Sequence, residues 1–246
     1  MDWSEPARRS KPSPTLAIVV AVALFLAASG ALVAVIPELV APRGEPSDHA
    51  FIFPAFDGPV RWNPCEPIHY VVNPGDSPPG SVEDVHLAVS RVSAATGIGF
   101  VYDGLTDEIP LDDRDWVQPE RYGPGWAPVL IAWASPSETD ISFLRDGEVA
   151  AAVARPWVPF GETVIVSAWV LVNERDLNPA GFARPGDQGP TVQHELGHVI
   201  GLDHVDSLAE MMHPAGGRVT DFGPGDLAGL EALGADGGCL QTPDPR

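Results

Sequence analysis

Basic residues are scarce in this 246-residue chain: 14 Lys and Arg stand against 34 Asp and Glu, for a formal net charge of −20 at pH 7. A surface this acidic repels phosphates and argues against nucleic acid as a partner. Lysine occurs only at Lys11, a bias that reflects GC-rich coding rather than chemistry. Cysteine is nearly absent, with Cys65 and Cys239 alone. No internal repeat or low-complexity block stands out. Long hydrophobic runs are equally rare: a single one spans Leu16–Ile36, uncharged and almost wholly apolar.

As a helix, that run would extend about 31 Å at roughly 1.5 Å per residue, the thickness of a bilayer core. Arg8, Arg9 and Lys11 precede it and no such cluster follows. The positive-inside rule then leaves the N-terminus in the cytoplasm and everything after Pro37 outside. The run reads as an uncleaved anchor. The alternative is a secretory signal cleaved near Ala28-Ser29-Gly30, which delivers the remainder to the same side of the membrane. Residues 1–15 are thus a cytoplasmic tail, 16–36 a transmembrane segment in contact with lipid, and proline-rich 37–61 a stalk. Residues 62–246, at 44% hydrophobic content for the whole chain, suffice for one good core and form a single domain. In an exported domain, Cys65 and Cys239 predict one disulfide joining its two ends. A loop that long is worth roughly 4–5 kcal/mol in the chain-entropy picture.

Strands are expected at Pro67–Val72, from Phe100, at Val129–Trp133, at Val149–Val153 and at Thr163–Val172, the last fully apolar and so interior. Val82, Val85, Val89 and Val92 fall on one face of a helix over Ser81–Thr96, with Ser81 as N-cap. A final helix carries Asp226, Leu227, Leu230 and Leu233 and ends at Gly234. His69 and His86 read as isolated surface or strand histidines. Acidic Thr106–Gly125, with Asp107, Asp112, Asp113 and Asp115, is either a calcium loop or a solvated surface loop.

The most informative stretch runs from His194 to His204, His-Glu-Leu-Gly-His-Val-Ile-Gly-Leu-Asp-His. Residues four apart lie one turn from each other on a helix, so His194 and His198 can grip one metal ion. Glu195 projects beside that ion, within reach of a bound water. Gly201 permits the left-handed turn that ends the helix and brings His204 round as third ligand. Three protein ligands leave a fourth position open, the arrangement of a catalytic rather than a structural zinc.

These residues match the extended motif of the metzincin clan of zinc endopeptidases, and Met212-His213-Pro214 resembles the Met-turn of its matrixin branch. The resemblance extends from about Trp62 to the C-terminus. It implies an α+β fold: a twisted five-stranded mixed sheet, a backing helix, an active-site helix and a C-terminal helix that supports the Met-turn. It also implies one zinc ion on His194, His198 and His204, Glu195 as general base, Met212 (rather than Met211) as apolar floor, and Pro214 in the turn. Ala215–Thr220 would wall the pocket for the first side chain past the scissile bond. The fourth strand, with Val149, Ala150, Ala151 and Ala152, would be the edge to which an extended polypeptide adds itself, though an interior strand remains the alternative. His213 is a remoter candidate for a fifth ligand. Val205 departs from the serine usual in matrixins, the lack of histidine between His86 and His194 excludes their second, structural zinc, and no Pro-Arg-Cys-Gly segment is present to cap the metal. Cys65 as a capping thiolate is the minor alternative to the disulfide. The expected activity is hydrolysis of internal peptide bonds by a zinc-activated water, outside the membrane, by a monomer. A non-catalytic zinc-binding or adhesion domain, or a zinc hydrolase of another amide such as cell-wall peptide, are the other readings.

Overall fold

The computed structural model describes residues 43–55, 58–142, 150–157, 163–175, 178–216 and 218–245. The expected tail and anchor lie outside them; among the described residues no helix is long and apolar enough to cross a membrane. The fold is α+β. Five strands, β2 (Ile68–Asn73), β3 (Phe100–Leu105), β4 (Val129–Ala134), β5 (Ala150–Trp157) and β6 (Val164–Asn173), form one sheet in the order β3-β2-β4-β6-β5. β2 is parallel to β3 and β4, β4 is parallel to β6, and β5 alone runs antiparallel, along β6. β4 and β6 are buried at every position, which is why their sequences are unbroken apolar runs rather than alternating ones.

One face of the sheet carries α1 (Ser81–Thr96) and α3 (Gln188–Ile200). Val85, Ala88, Val89 and Val92 of α1 meet Val192, Leu196, Val199 and Ile200 of α3 in the main core over Ile68, Val72, Ile131 and Val170. The expected extent of α1 is correct, but its N-cap is Gly80, in the left-handed region at φ 99°, and Ser81 is the first helical residue. Asp84, in the first turn of α1, accepts the Gly181 N–H at 2.6 Å.

The second face of the sheet is covered by the acidic segment that follows β3, which includes the short α2 (Pro119–Tyr122). Ile109 and Tyr122 pack there with Ile141 on Val71, Leu130 and Trp169. Buried Glu108 and Arg114 pin the segment through a two-pronged pair, Nε–Oε1 at 2.8 Å and NH2–Oε2 at 3.0 Å. Gln118 and the Tyr122 hydroxyl also donate to Glu108, and Arg114 reaches Ser167 and the Pro128 carbonyl. Burial pushes Glu108 upward, but Arg114 holds its carboxyl below the ordinary glutamate value. The same burial, with Glu108 nearby, drives Tyr122 up to about 12.

Residues 37–61 were expected as stalk, yet the described part of that stretch, from Arg43 on, belongs with the domain. Its two-residue strand β1 (Ala50–Phe51) pairs antiparallel with β7 (Leu202–Asp203), and Phe51, Phe53 and Val60 pack against the main core. Two paired residues have no periodicity to detect, so the apolar content alone gave no register. The chain closes with α4 (Pro224–Leu233) and a 3-10 turn at Ala235–Gly237. Cys65 and Cys239 are joined in a disulfide with Cα atoms 5.3 Å apart, so Cys65 is not a free thiolate.

Candidate metal centre

α3 is fixed at both ends by indole nitrogens. Trp133 of β4 donates to the Gln188 side chain at 2.9 Å, and Trp62 donates to the Val199 carbonyl at 2.8 Å. Thr191 sits in the first turn and its hydroxyl donates to the carbonyl of Asp187, the N-cap residue. Gly201 ends the helix at φ 123°, its N–H shared between the Gly197 and His198 carbonyls. The chain reverses through β7 and delivers His204 beside the two helical histidines.

The rings meet as the spacing requires. His204 Nε2 lies 3.2 Å from His194 Nε2 and 3.1 Å from His198 Nε2. His194 Nδ1 faces the Met211 carbonyl at 2.7 Å, and His198 Nδ1 faces the Leu202 carbonyl at 2.8 Å. Carbonyls only accept, so both Nδ1 atoms carry the proton and both Nε2 atoms present bare lone pairs. Lone pairs this close repel unless a proton or a cation lies between them. A proton is disfavoured: burial, then the neighbouring His198, lowers the His194 pKa to about 3, and burial also lowers His198 and His204. A metal ion bonded to each nitrogen at about 2.0–2.1 Å sets tetrahedral ligands about 3.3–3.4 Å apart, close to the observed separations. The donor set therefore fits a divalent cation.

Among the described residues, these three histidines are the one group of three or more metal-ligating side chains placed to hold an ion. The acids of Thr106–Gly125, read as a calcium loop or a solvated surface loop, do not converge on one point. Asp107 pairs with Arg121, and the Asp112 N–H donates to Asp140. His213 is not among the three grouped histidines, and its Nδ1 accepts the Ala215 N–H. His69 pairs with Asp103 and His86 with the Tyr70 hydroxyl, both away from the metal centre.

Beneath the histidines lies the turn at residues 211–214. Met212 is buried against Gly197, where any Cβ would overlap its sulfur, so this methionine floors the helix between the two ligands. Met211 is buried as well, and its carbonyl orients His194. The N–H groups of Met211 and Met212 donate to Asp226 of α4, at 2.6 and 3.3 Å, and Glu210 accepts the Asp226 N–H at 2.9 Å. Burial, opposed by these backbone donors and reinforced by Glu210, raises the Asp226 pKa to about 6. The sequence placed Asp226 on a supporting helix but did not reveal that its carboxylate is the support, nor that Glu210 is fully buried beside it. The available signal was an acid in the first turn of α4, which reads equally well as ordinary capping.

A cleft of about 360 Å³ opens beside the centre, lined by His194, Glu195, Met211, Pro214, Ala215 and Ala150 among others. Glu195 is buried in its wall next to the ligands. Ala215 and Gly216 line it too, at the start of the stretch expected to form a pocket wall. Ala150 belongs to β5, one of the two edge strands of the sheet; Ala151 and Ala152 follow it along that strand, and Val149 lies outside the described residues. No protein-family model matches the chain, and no curated protein sequence matches it.

Proposed function

We propose that the chain is a zinc-dependent endopeptidase of metzincin type, matrixin-like in its Met-turn. The convergence of three imidazole nitrogens with a buried carboxylate at the edge of a cleft carries this reading. His194, His198 and His204 would hold the zinc. When bound, zinc acts as a Lewis acid on a carbonyl oxygen and lowers the pKa of water. Glu195 takes the proton from the attacking water and hands it to the departing amine. Met211 and Leu202 keep the two helical rings in the ligating tautomer through their carbonyls. Ala150 and its neighbours on β5 offer a main-chain edge against which an extended polypeptide aligns, with side chains small enough for close approach. The polypeptide's next side chain enters the cleft between α3 and Pro214-Ala215.

The disulfide supports an extracytoplasmic domain, since such bonds persist in oxidising compartments. Anchoring through 16–36 and a monomeric state complete the proposal. The test is Glu195→Gln. This variant is expected to bind zinc as the unaltered chain does and to lose at least about 100-fold in cleavage of an extended peptide library, the scale of one general base. Full cleavage by Glu195→Gln would overturn the assignment; zinc binding with no cleavage by the unaltered chain would favour a non-catalytic domain.

A further inference from the structure

The frame of the metal centre includes a stretch of chain outside the histidine motif. Residues 44–53 cross the base of the site and touch it at successive points. Gly44 lies directly on the Glu210 carboxylate, with no room for a Cβ. The Asp48 carbonyl occupies the space where a Cβ on Gly225 would sit, and His49 packs on Gly229, whose Cβ would fall 3.0 Å from that of His49. The two glycines, one turn apart on α4, form a groove in which this strap lies. Beyond it, Ala50 pairs with Asp203 and Phe51 with Leu202, and the Ile52 N–H donates to the Gly201 carbonyl at 3.0 Å. Every residue between the end of α3 and His204 is thus held by the strap.

The three ligands differ in how they are fixed. His194 and His198 are each oriented by an Nδ1 hydrogen bond to a carbonyl, and for His198 that carbonyl, Leu202, is on β7 itself. His204 Nδ1 has no hydrogen-bond partner among the described residues. Its ring takes its place from the backbone on either side: β7 paired with the strap, and the Val205 N–H donating to the Met212 carbonyl at 3.0 Å. We propose that the strap, residues 44–53, is a positioning element of the metal centre, its pairing with β7 setting where His204 meets the other two rings. Metal affinity and strap docking are then coupled, and linkage makes the coupling reciprocal. The proposal rests on the metal reading of the triad and not on the peptidase reading.

Gly225→Ala in the full-length chain, kept in detergent, tests it. The added Cβ has its three nearest contacts on Asp48 of the strap, and alanine strengthens α4 itself. Zinc titrated against a chromophoric chelator is expected to show a dissociation constant raised about tenfold, the scale for outer partners of ligating histidines. The visible bands of the cobalt(II)-loaded variant are expected to shift, which a remote packing defect would not cause. In the unaltered chain, zinc is expected to slow amide exchange at Ile52 as well as around the triad. Wild-type zinc affinity with an unchanged cobalt spectrum in Gly225→Ala overturns the proposal. If that variant does not fold, unchanged Ile52 exchange on zinc addition overturns it instead. An unaltered chain that binds no zinc removes the metal reading and this one with it.

Discussion

Gly201 holds a backbone conformation that no other residue type adopts at low cost. Its φ of 123° ends α3 and turns the chain toward His204, while its carbonyl receives the Ile52 N–H. A Cβ there would meet only ordinary contacts, the closest at 3.5 Å, so the obstacle to substitution is backbone conformation and not space. Gly201→Ala is therefore expected to lower stability by about 1–3 kcal/mol, the cost of a non-glycine residue held in a sparsely populated region. The measurement is the urea midpoint, with an unchanged denaturant slope showing that compactness is preserved. The convergence of His194, His198 and His204 across the turn at Gly201 was legible because helix geometry and a helix-ending glycine convert short spacings directly into positions. Asp226 and Glu210 were not, since their partners lie 14 to 16 residues away through a turn whose path no local pattern specifies.

At the scale of elements, α4 acts through its first turn more than through its apolar stripe. Asp226 gathers the Met211, Met212 and Gly223 N–H groups, so the helix start and the floor of the metal centre share one acceptor. Its folded pKa of about 6 lies above the ordinary aspartate value of 3.8. The bound proton is thus favoured by folding: this contribution is fully present below pH 3.8 and is lost as pH rises through 6. Asp226→Asn removes that dependence and leaves buried N–H groups short of an acceptor, at about 1–3 kcal/mol. The expected result is a variant less stable than the unaltered chain at pH 7 and further below it at pH 4, read from urea unfolding at both. Elements with strong local patterns, such as α1, β4 and β6, lie within about a residue of their expected bounds because apolar period and length both specify them. The cover over the second sheet face was read as a calcium loop or a solvated surface loop, and not as packing. Glu108 and Arg114 turn inward there as a satisfied pair, and a buried acid is indistinguishable in sequence from the exposed acids around it.

Across the whole molecule, the two ends of the domain are tied together more thoroughly than the cysteine pair alone indicated. Arg61 donates to the Gly237 and Gly238 carbonyls and Asn63 bonds Leu240 and Thr242, while Trp126, just before β4, secures the same tail by donating to the Pro243 carbonyl. Replacing Cys65 and Cys239 by serine is expected to cost about 2–5 kcal/mol in urea unfolding under oxidising conditions. The polar clamps act only in the folded state, so they do not substitute for the constraint the disulfide places on the unfolded chain. On the zinc reading proposed above, metal binding offers a second global readout, because a ligand that binds only the folded state stabilises it by mass action. Free zinc at 100 times its dissociation constant adds about 2.7 kcal/mol. That increment separates the roles within the motif without any assay of cleavage. At that same zinc concentration it should survive in Glu195→Gln, whose carboxylate lines the cleft but is not among the three grouped ligands, and shrink sharply in His204→Ala, which removes one of them. Thermal unfolding of both variants with zinc and with chelator measures it; an undiminished zinc increment in His204→Ala would remove residue 204 from the ligand set.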